Sequence, residues 1–174
     1  KMATLLLKKS YQHKDLKEIK FNDLWNSHGI FTTMRVIGNP AKILFFKEHI
    51  NNLIKSLKIY KIEKKNIKKN ILKLIRLNLN KNKKYDHLLR VASNNKIISI
   101  SLRKRLKPKL DFSLKLVNYI RIKPEYKNLK YNKILSFLNK IDTTKSDIAL
   151  YKNKKILESG TSNLLFVKRK QIYS

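Results

Sequence analysis

Ile156-Leu157-Glu158-Ser159-Gly160-Thr161-Ser162-Asn163-Leu164-Leu165-Phe166-Val167 is the stretch on which the reading of this 174-residue chain turns. Two apolar runs flank a string of small hydroxyl and amide side chains, the pattern of strand, tight polar turn, strand. Glu158 closes the first run. Lys127 lies 31 residues upstream, just after Pro124, at the start of a segment whose Leu129, Ile134, Leu135 and Leu138 recur at helical spacing. Glu158 alone reads equally well as a strand-end surface residue. Lys127 alone is one more solvated lysine.

Working outward, the apolar pattern is mixed. Short strands are expected over Met2–Leu7 and Leu16–Phe21, and a better one over Ile30–Ile37. Gly38-Asn39-Pro40 is a hairpin-type turn leading into Lys42–Phe46. Ile50, Leu53, Ile54 and Leu57 predict a helix over Lys47–Tyr60, and Ile67, Ile71, Leu74 and Ile75 a second over Lys64–Leu79. A polar loop, Asn78–Lys84, precedes the clearest hairpin, His87–Ser93 and Lys96–Arg103 about Asn94-Asn95. Phe112–Ile122 reads as a strand, Tyr131–Ile141 as a helix, and the last forty residues as strands. This is an α/β chain in two domains: 1–105, a linker at 106–111, and 112–174.

Composition bounds the function. There is no cysteine, which excludes disulfides and thiolate metal sites, and no cluster of metal ligands is legible. No apolar run approaches the ~20 residues of a membrane span, and Leu5-Leu6-Leu7 is too short for a signal-peptide core. The expectation is a soluble, cytoplasmic protein. Lys plus Arg number 42 against 11 Asp plus Glu, a net charge of +31. Such a charge suggests nucleic acid. The basic residues, however, are mostly lysines spread among Asn and Ile, as an A/T-rich coding bias produces, and no aromatic-interleaved stripe or helix-turn-helix signature accompanies them. We read them as solvated faces and do not expect a nucleic-acid partner.

Three segments carry a resemblance. Lys127-Asn128-Leu129-Lys130-Tyr131 resembles the lysine segment of the class IV pyridoxal phosphate enzymes, the family of branched-chain and D-amino-acid aminotransferases and aminodeoxychorismate lyase. Glu158-Ser159-Gly160-Thr161-Ser162-Asn163-Leu164 is similar to that family's glutamate motif. Upstream, Gly29-Ile30-Phe31-Thr32-Thr33-Met34-Arg35-Val36-Ile37, then Phe46-Lys47-Glu48-His49-Ile50-Asn51-Asn52-Leu53, looks closest to aminodeoxychorismate lyase. The three stand in the family's order.

The resemblance implies a D-amino-acid aminotransferase-like fold of type IV and pyridoxal 5'-phosphate as cofactor. Lys127 would bond the cofactor aldehyde and shuttle a proton, while Glu158 keeps the pyridine nitrogen protonated. Thr161, Ser162, Asn163 and Tyr131 would contact the cofactor, and Phe31 and Arg35 would line a pocket for a small anionic amino substrate, with Arg35 pairing a carboxylate. The implied reaction is pyruvate elimination from aminodeoxychorismate to give 4-aminobenzoate, for folate synthesis. An amino-acid aminotransferase and a relative without catalytic activity are the alternatives. A homodimer is implied too. Two departures accompany these expectations. Asn52 stands where the family's H-x-x-R-L helix has a phosphate-clamping arginine, with Lys55 one turn on as a substitute charge, and His28 replaces a glycine-rich segment and is not read as catalytic. The family also continues past the second strand of the glutamate motif, so the second domain is expected to be incomplete here.

Overall fold

Alternation along Gly29–Gly38 buries Ile30, Thr32, Met34 and Val36 and leaves Phe31, Thr33 and Arg35 partly accessible, as in a strand with one face against helices. The computed structural model describes residues 5–80 and 82–173. Their elements run β1 (Leu5–Gln12), β2 (Glu18–Ile19), β3 (Gly29–Gly38), β4 (Lys42–Ile43), α1 (Phe46–Ile59), α2 (Ile67–Asn78), β5 (Tyr85–Asn94), β6 (Ile97–Lys104), β7 (Ser113–Asn118), α3 (Asn132–Leu138), β8 (Ser146–Lys152), β9 (Lys155–Ser159), β10 (Phe166–Lys168) and β11 (Gln171–Tyr173).

The chain divides into two compact units, residues 5–105 with Lys123–Lys130, and Leu106–Ile122 with residues 131–173. In the first, an antiparallel sheet of order β2-β1-β6-β5-β3-β4 packs one face on α1 and α2. Ile50, Leu53 and Leu57 of α1 and Ile67, Ile71, Leu74 and Ile75 of α2 meet Met34, Leu89, Val91, Ile98 and Ile100 in one core. The opposite face is polar and basic: Ser10, Ser99, Ser101 and Arg103 continue the row of Thr33, Arg35 and Arg90.

In the second unit β7 pairs parallel with β8, and β8 antiparallel with β9. Ile134 and Leu138 of α3 pack on Ile148 and Leu150 of β8, a much smaller core. The hairpin β10–β11 forms its own two-stranded sheet.

Several boundaries differ from the sequence reading. Of the strand expected over 2–7, residues 2–4 lie outside the described ones, and β1 runs on to Gln12 because β6 pairs it that far. The strand expected over Leu16–Phe21 shrinks to Glu18–Ile19, bridged to β1. The helix predicted from Lys64 starts at Ile67, since Asn66 takes the left-handed backbone (φ 59°) that asparagine tolerates. β7 stops at Asn118, and the remainder of the expected strand leads to Arg121 at a buried ion pair. α3 ends at Leu138, where turn bonds Lys140 N to Phe137 O (3.1 Å) and Ile141 N to Leu138 O (3.2 Å) close the chain. Leu164 and Leu165 belong to no strand, and β10 pairs with β11, not with β9.

One glycine positions the Lys127 segment. Phe31 N donates to Lys127 O (2.8 Å) and Leu129 N to Gly29 O (2.9 Å), so residues 127–129 run antiparallel beside the head of β3. A Cβ on Gly29 would stand 2.4 Å from Ser93 O and 2.6 Å from Leu129 Cδ1. Gly29→Ala should therefore destabilise the first unit by about 1–3 kcal/mol in urea titration and speed amide exchange at Leu129. Unchanged stability would show that this approach tolerates a methyl group.

Candidate active site

Lys127 emerges exposed from a backbone that is fixed on both sides of it. Beyond it, Asn128 is buried, with its amide donating to Lys123 O (3.1 Å) and its Oδ1 accepting from Lys130 N (3.1 Å), and Leu129 packs with Leu24 and Ala92. The neighbouring titratable group is His49 on α1, whose Nδ1 is 3.0 Å from Thr32 Oγ1. Burial lowers the His49 pKa from its ordinary value, and the positive charge of Lys127 lowers it further. A neutral imidazole beside an amine adds no second charge there. Asn52 lies about one turn along α1 from His49, exposed, as is Lys55.

On the basic face, Arg35 pairs with Asp86 at 3.3 Å and keeps a buried Nε that has no partner among the described residues. Phe31 sits edge-on to Trp25 with centroids 5.1 Å apart, and Arg90 lies over both rings, 3.6 Å from the Trp25 centroid. Burial pushes the Arg90 pKa down to about 10. His28 stacks on Tyr60, consistent with a structural role.

In the second unit Glu158 closes β9 and meets Arg121. Arg121 Nε lies 3.0 and 3.3 Å from the two carboxylate oxygens, and Nη2 donates to Oε2 at 3.0 Å. The guanidinium side is buried and the carboxylate side is 28% exposed, so Glu158 is fixed by two nitrogens of Arg121 with part of its carboxylate still accessible. Tyr131 donates its hydroxyl to Gly160 O (2.6 Å), and burial pushes its pKa up to about 12. Thr161, Ser162 and Asn163 are exposed, but Thr161 and Ser162 direct both backbone N–H groups and both hydroxyls at Asp147 Oδ2, at 2.8–3.0 Å. Ser159 Oγ closes the turn on Ser162 O.

The sequence-predicted residues thus fall into local groups. Lys127 stands with Thr32 and His49, with Asn52 one turn further; Glu158, Tyr131, Thr161 and Ser162 share one turn and its supports. Sequence reasoning missed Arg121, Asp147 and the Thr32–His49 pair. Arg121 was hidden in the basic excess. Asp147 did carry a signal: an aspartate ahead of Ile148-Ala149-Leu150, in a strand buried over its first five residues, demands partners.

The family model described as amino-transferase class IV matches residues 29–174. Among solved structures, the chain is similar to the branched-chain aminotransferase of the thermophilic archaeon Thermoproteus uzoniensis with norvaline: 16% identity, TM-score 0.67, over 95% of this chain and 67% of that one. It is similar to an aminotransferase from Brucella abortus bound to the cofactor PLP (14%, TM-score 0.66, 94% and 69%). A Legionella pneumophila protein assigned as a 4-amino-4-deoxychorismate lyase matches at 18% and TM-score 0.61, over 84% of this chain and 61% of that one. No curated protein matches at the level of sequence. The chain therefore has the mixed α/β fold of these enzymes and spans about two thirds of their length.

Replacing Lys127 by Met should raise the His49 titration midpoint, followed by NMR of the ring. Because the folded pKa of His49 is lowered, His49 contributes stability above its unfolded value near 6.5 that is lost as pH falls through the folded value. Lys127→Met should make that loss on acidification below about pH 6.5 shallower. An unmoved midpoint would separate the amine from the imidazole.

Proposed function

The chain belongs to the amino-transferase class IV family, and we propose that it is a pyridoxal-phosphate enzyme whose reaction is pyruvate elimination from 4-amino-4-deoxychorismate. The observation that carries the cofactor assignment is the Glu158 carboxylate, paired with buried Arg121 and still open to a further donor. That acceptor fits a protonated pyridine nitrogen. When bound, pyridoxal phosphate supplies an electron sink at the carbon that loses its proton.

The chain's own residues then divide the work. Lys127 would be the amine that holds the cofactor and carries a proton at its Nζ. Glu158 would face the ring nitrogen, and Arg121 orients Glu158. Tyr131, its pKa pushed up to about 12 by burial, stays protonated and gives its proton to Gly160 O. Arg35, with Asp86 taking one nitrogen and Nε unpartnered among the described residues, is the candidate for a substrate carboxylate, and Phe31 a wall beside it. Phosphate is the least well served part. Asn52 brings no charge, and the donors of Thr161 and Ser162 already point at Asp147. Asn163 and Lys55 remain available to it.

Similarity to aminodeoxychorismate lyase in the Phe31-Thr32-Thr33-Met34-Arg35-Val36 segment favours the lyase. The fold likeness to branched-chain aminotransferases supports amino-acid transamination as the second reading. A homodimer is part of the proposal, supported by exposed apolar residues such as Leu114 and Leu116 on β7.

Incubated with aminodeoxychorismate and pyridoxal phosphate, the protein should release 4-aminobenzoate and pyruvate in equal amounts. Transfer of an amino group to a 2-oxo acid without pyruvate release would favour the aminotransferase, and neither product would count against both. Asn52→Arg should tighten pyridoxal phosphate binding by one to two decades, since a charge-assisted pair to phosphate contributes roughly 1.5–3 kcal/mol. No tightening in a fluorescence titration would show that α1 does not face the phosphate.

A further inference from the structure

Among the described residues only two charged side chains are buried, Arg121 and Asp147, at 7% and 1% exposure. Arg121 is engaged by Glu158. Asp147, at the second position of β8, is matched by hydrogen-bond donors. Its Oδ2 accepts from Thr161 N (2.9 Å), Thr161 Oγ1 (3.0 Å), Ser162 N (2.9 Å) and Ser162 Oγ (2.8 Å), and its Oδ1 from Ile148 N (2.8 Å). The carboxylate lies so close to the turn that a Cβ on Gly160 would stand 2.7 Å from Oδ1. Gly160 N in turn donates to Ile148 O (2.9 Å). Three consecutive residues after Ser159 are therefore fastened to the start of β8. On the other side, Glu158 and Ser159 pair with Leu150 and Ala149 across an irregular register.

A hydroxyl has one proton to give. Thr161 and Ser162 give theirs to Asp147, along with the turn's N–H groups, so their donors hold the protein to itself. The cluster consequently acts on Glu158, two residues from Gly160, whose carboxylate must meet both Arg121 and a ligand at fixed geometry.

We propose that Asp147 is a positioning residue for Glu158: by gathering the donors of the 160–162 turn it sets where the Glu158 carboxylate stands. The inference rests on the cofactor reading for its functional consequence, and on the geometry alone for its structural one.

The test uses the full chain and Asp147→Asn, which keeps the volume but turns an amide NH2 toward the turn donors. Amide exchange at Thr161 and Ser162 should accelerate by about tenfold or more, the Arg121 Nε–H resonance should shift or broaden, and pyridoxal phosphate should bind about tenfold more weakly. Exchange in the rest of β8 should stay as it was. Ser162→Ala, which removes one donor at an exposed position, should move the same readouts in the same direction by less, and it decides the matter if Asp147→Asn does not fold. Unchanged exchange and an unchanged Arg121 signal would overturn the proposal. So would loss of protection spread evenly over the unit, which marks a residue needed only for stability. If the unsubstituted protein binds no pyridoxal phosphate, the cofactor reading fails, and the exchange and Arg121 signals still decide whether Asp147 holds Glu158.

Discussion

A charge buried in protein must be matched by partners, and the second unit is organised by how it matches two of them. Arg121 and Asp147 carry opposite charge, and both act on the segment from Glu158 to Ser162. The surrounding core is small, four buried aliphatic side chains in α3 and β8. Apolar packing of that size leaves the conformation of a polar turn weakly specified. Charge-assisted hydrogen bonds specify it instead, because each unmatched donor or acceptor in such a place costs about 1–3 kcal/mol. The result is a carboxylate presented at a defined place with part of its surface open.

The first unit works by different means. Its sheet and two helices share one large aliphatic core, and β3 is zipped to β5 along its whole length. That rigidity is handed to residues 127–129 by two backbone hydrogen bonds and by a glycine where a side chain would collide. The lysine side chain stays exposed while its backbone is held. Beside it stands an imidazole kept neutral by burial and by the lysine's own charge. An anchored amine next to an uncharged base suits an enzyme that moves protons.

Much of the first unit was legible from periodicity. The Ile50-Leu53-Leu57 and Ile67-Ile71-Leu74 stripes and the alternation of Ile30–Val36 each bury the face that spacing assigns. The hairpin about Asn94-Asn95 was legible too, since Asn94 Oδ1 caps Lys96 N and Ile97 N (2.9 Å each), as turn asparagines do. Irregular elements were less so. Leu164-Leu165 looks like strand yet pairs with nothing regular, and no local pattern states which unit Lys127's segment joins. At the site, the motif residues were readable and their supports were not. An arginine among 42 basic residues carries no signal of its partner, and Thr32 and His49 meet only because a strand and a helix cross. Asp147 was visible as an anomaly in an apolar strand, but its partners lie 14 and 15 residues away.

In the proposed reading Lys127 is the residue to which the cofactor bonds, and borohydride reduction of the protein saturated with pyridoxal phosphate, followed by peptide mass mapping, is the decisive measurement. The reduced cofactor should appear on the peptide containing Lys127, with Lys127→Ala folded and unlabelled. Label on a different lysine, or none at all, would rule Lys127 out.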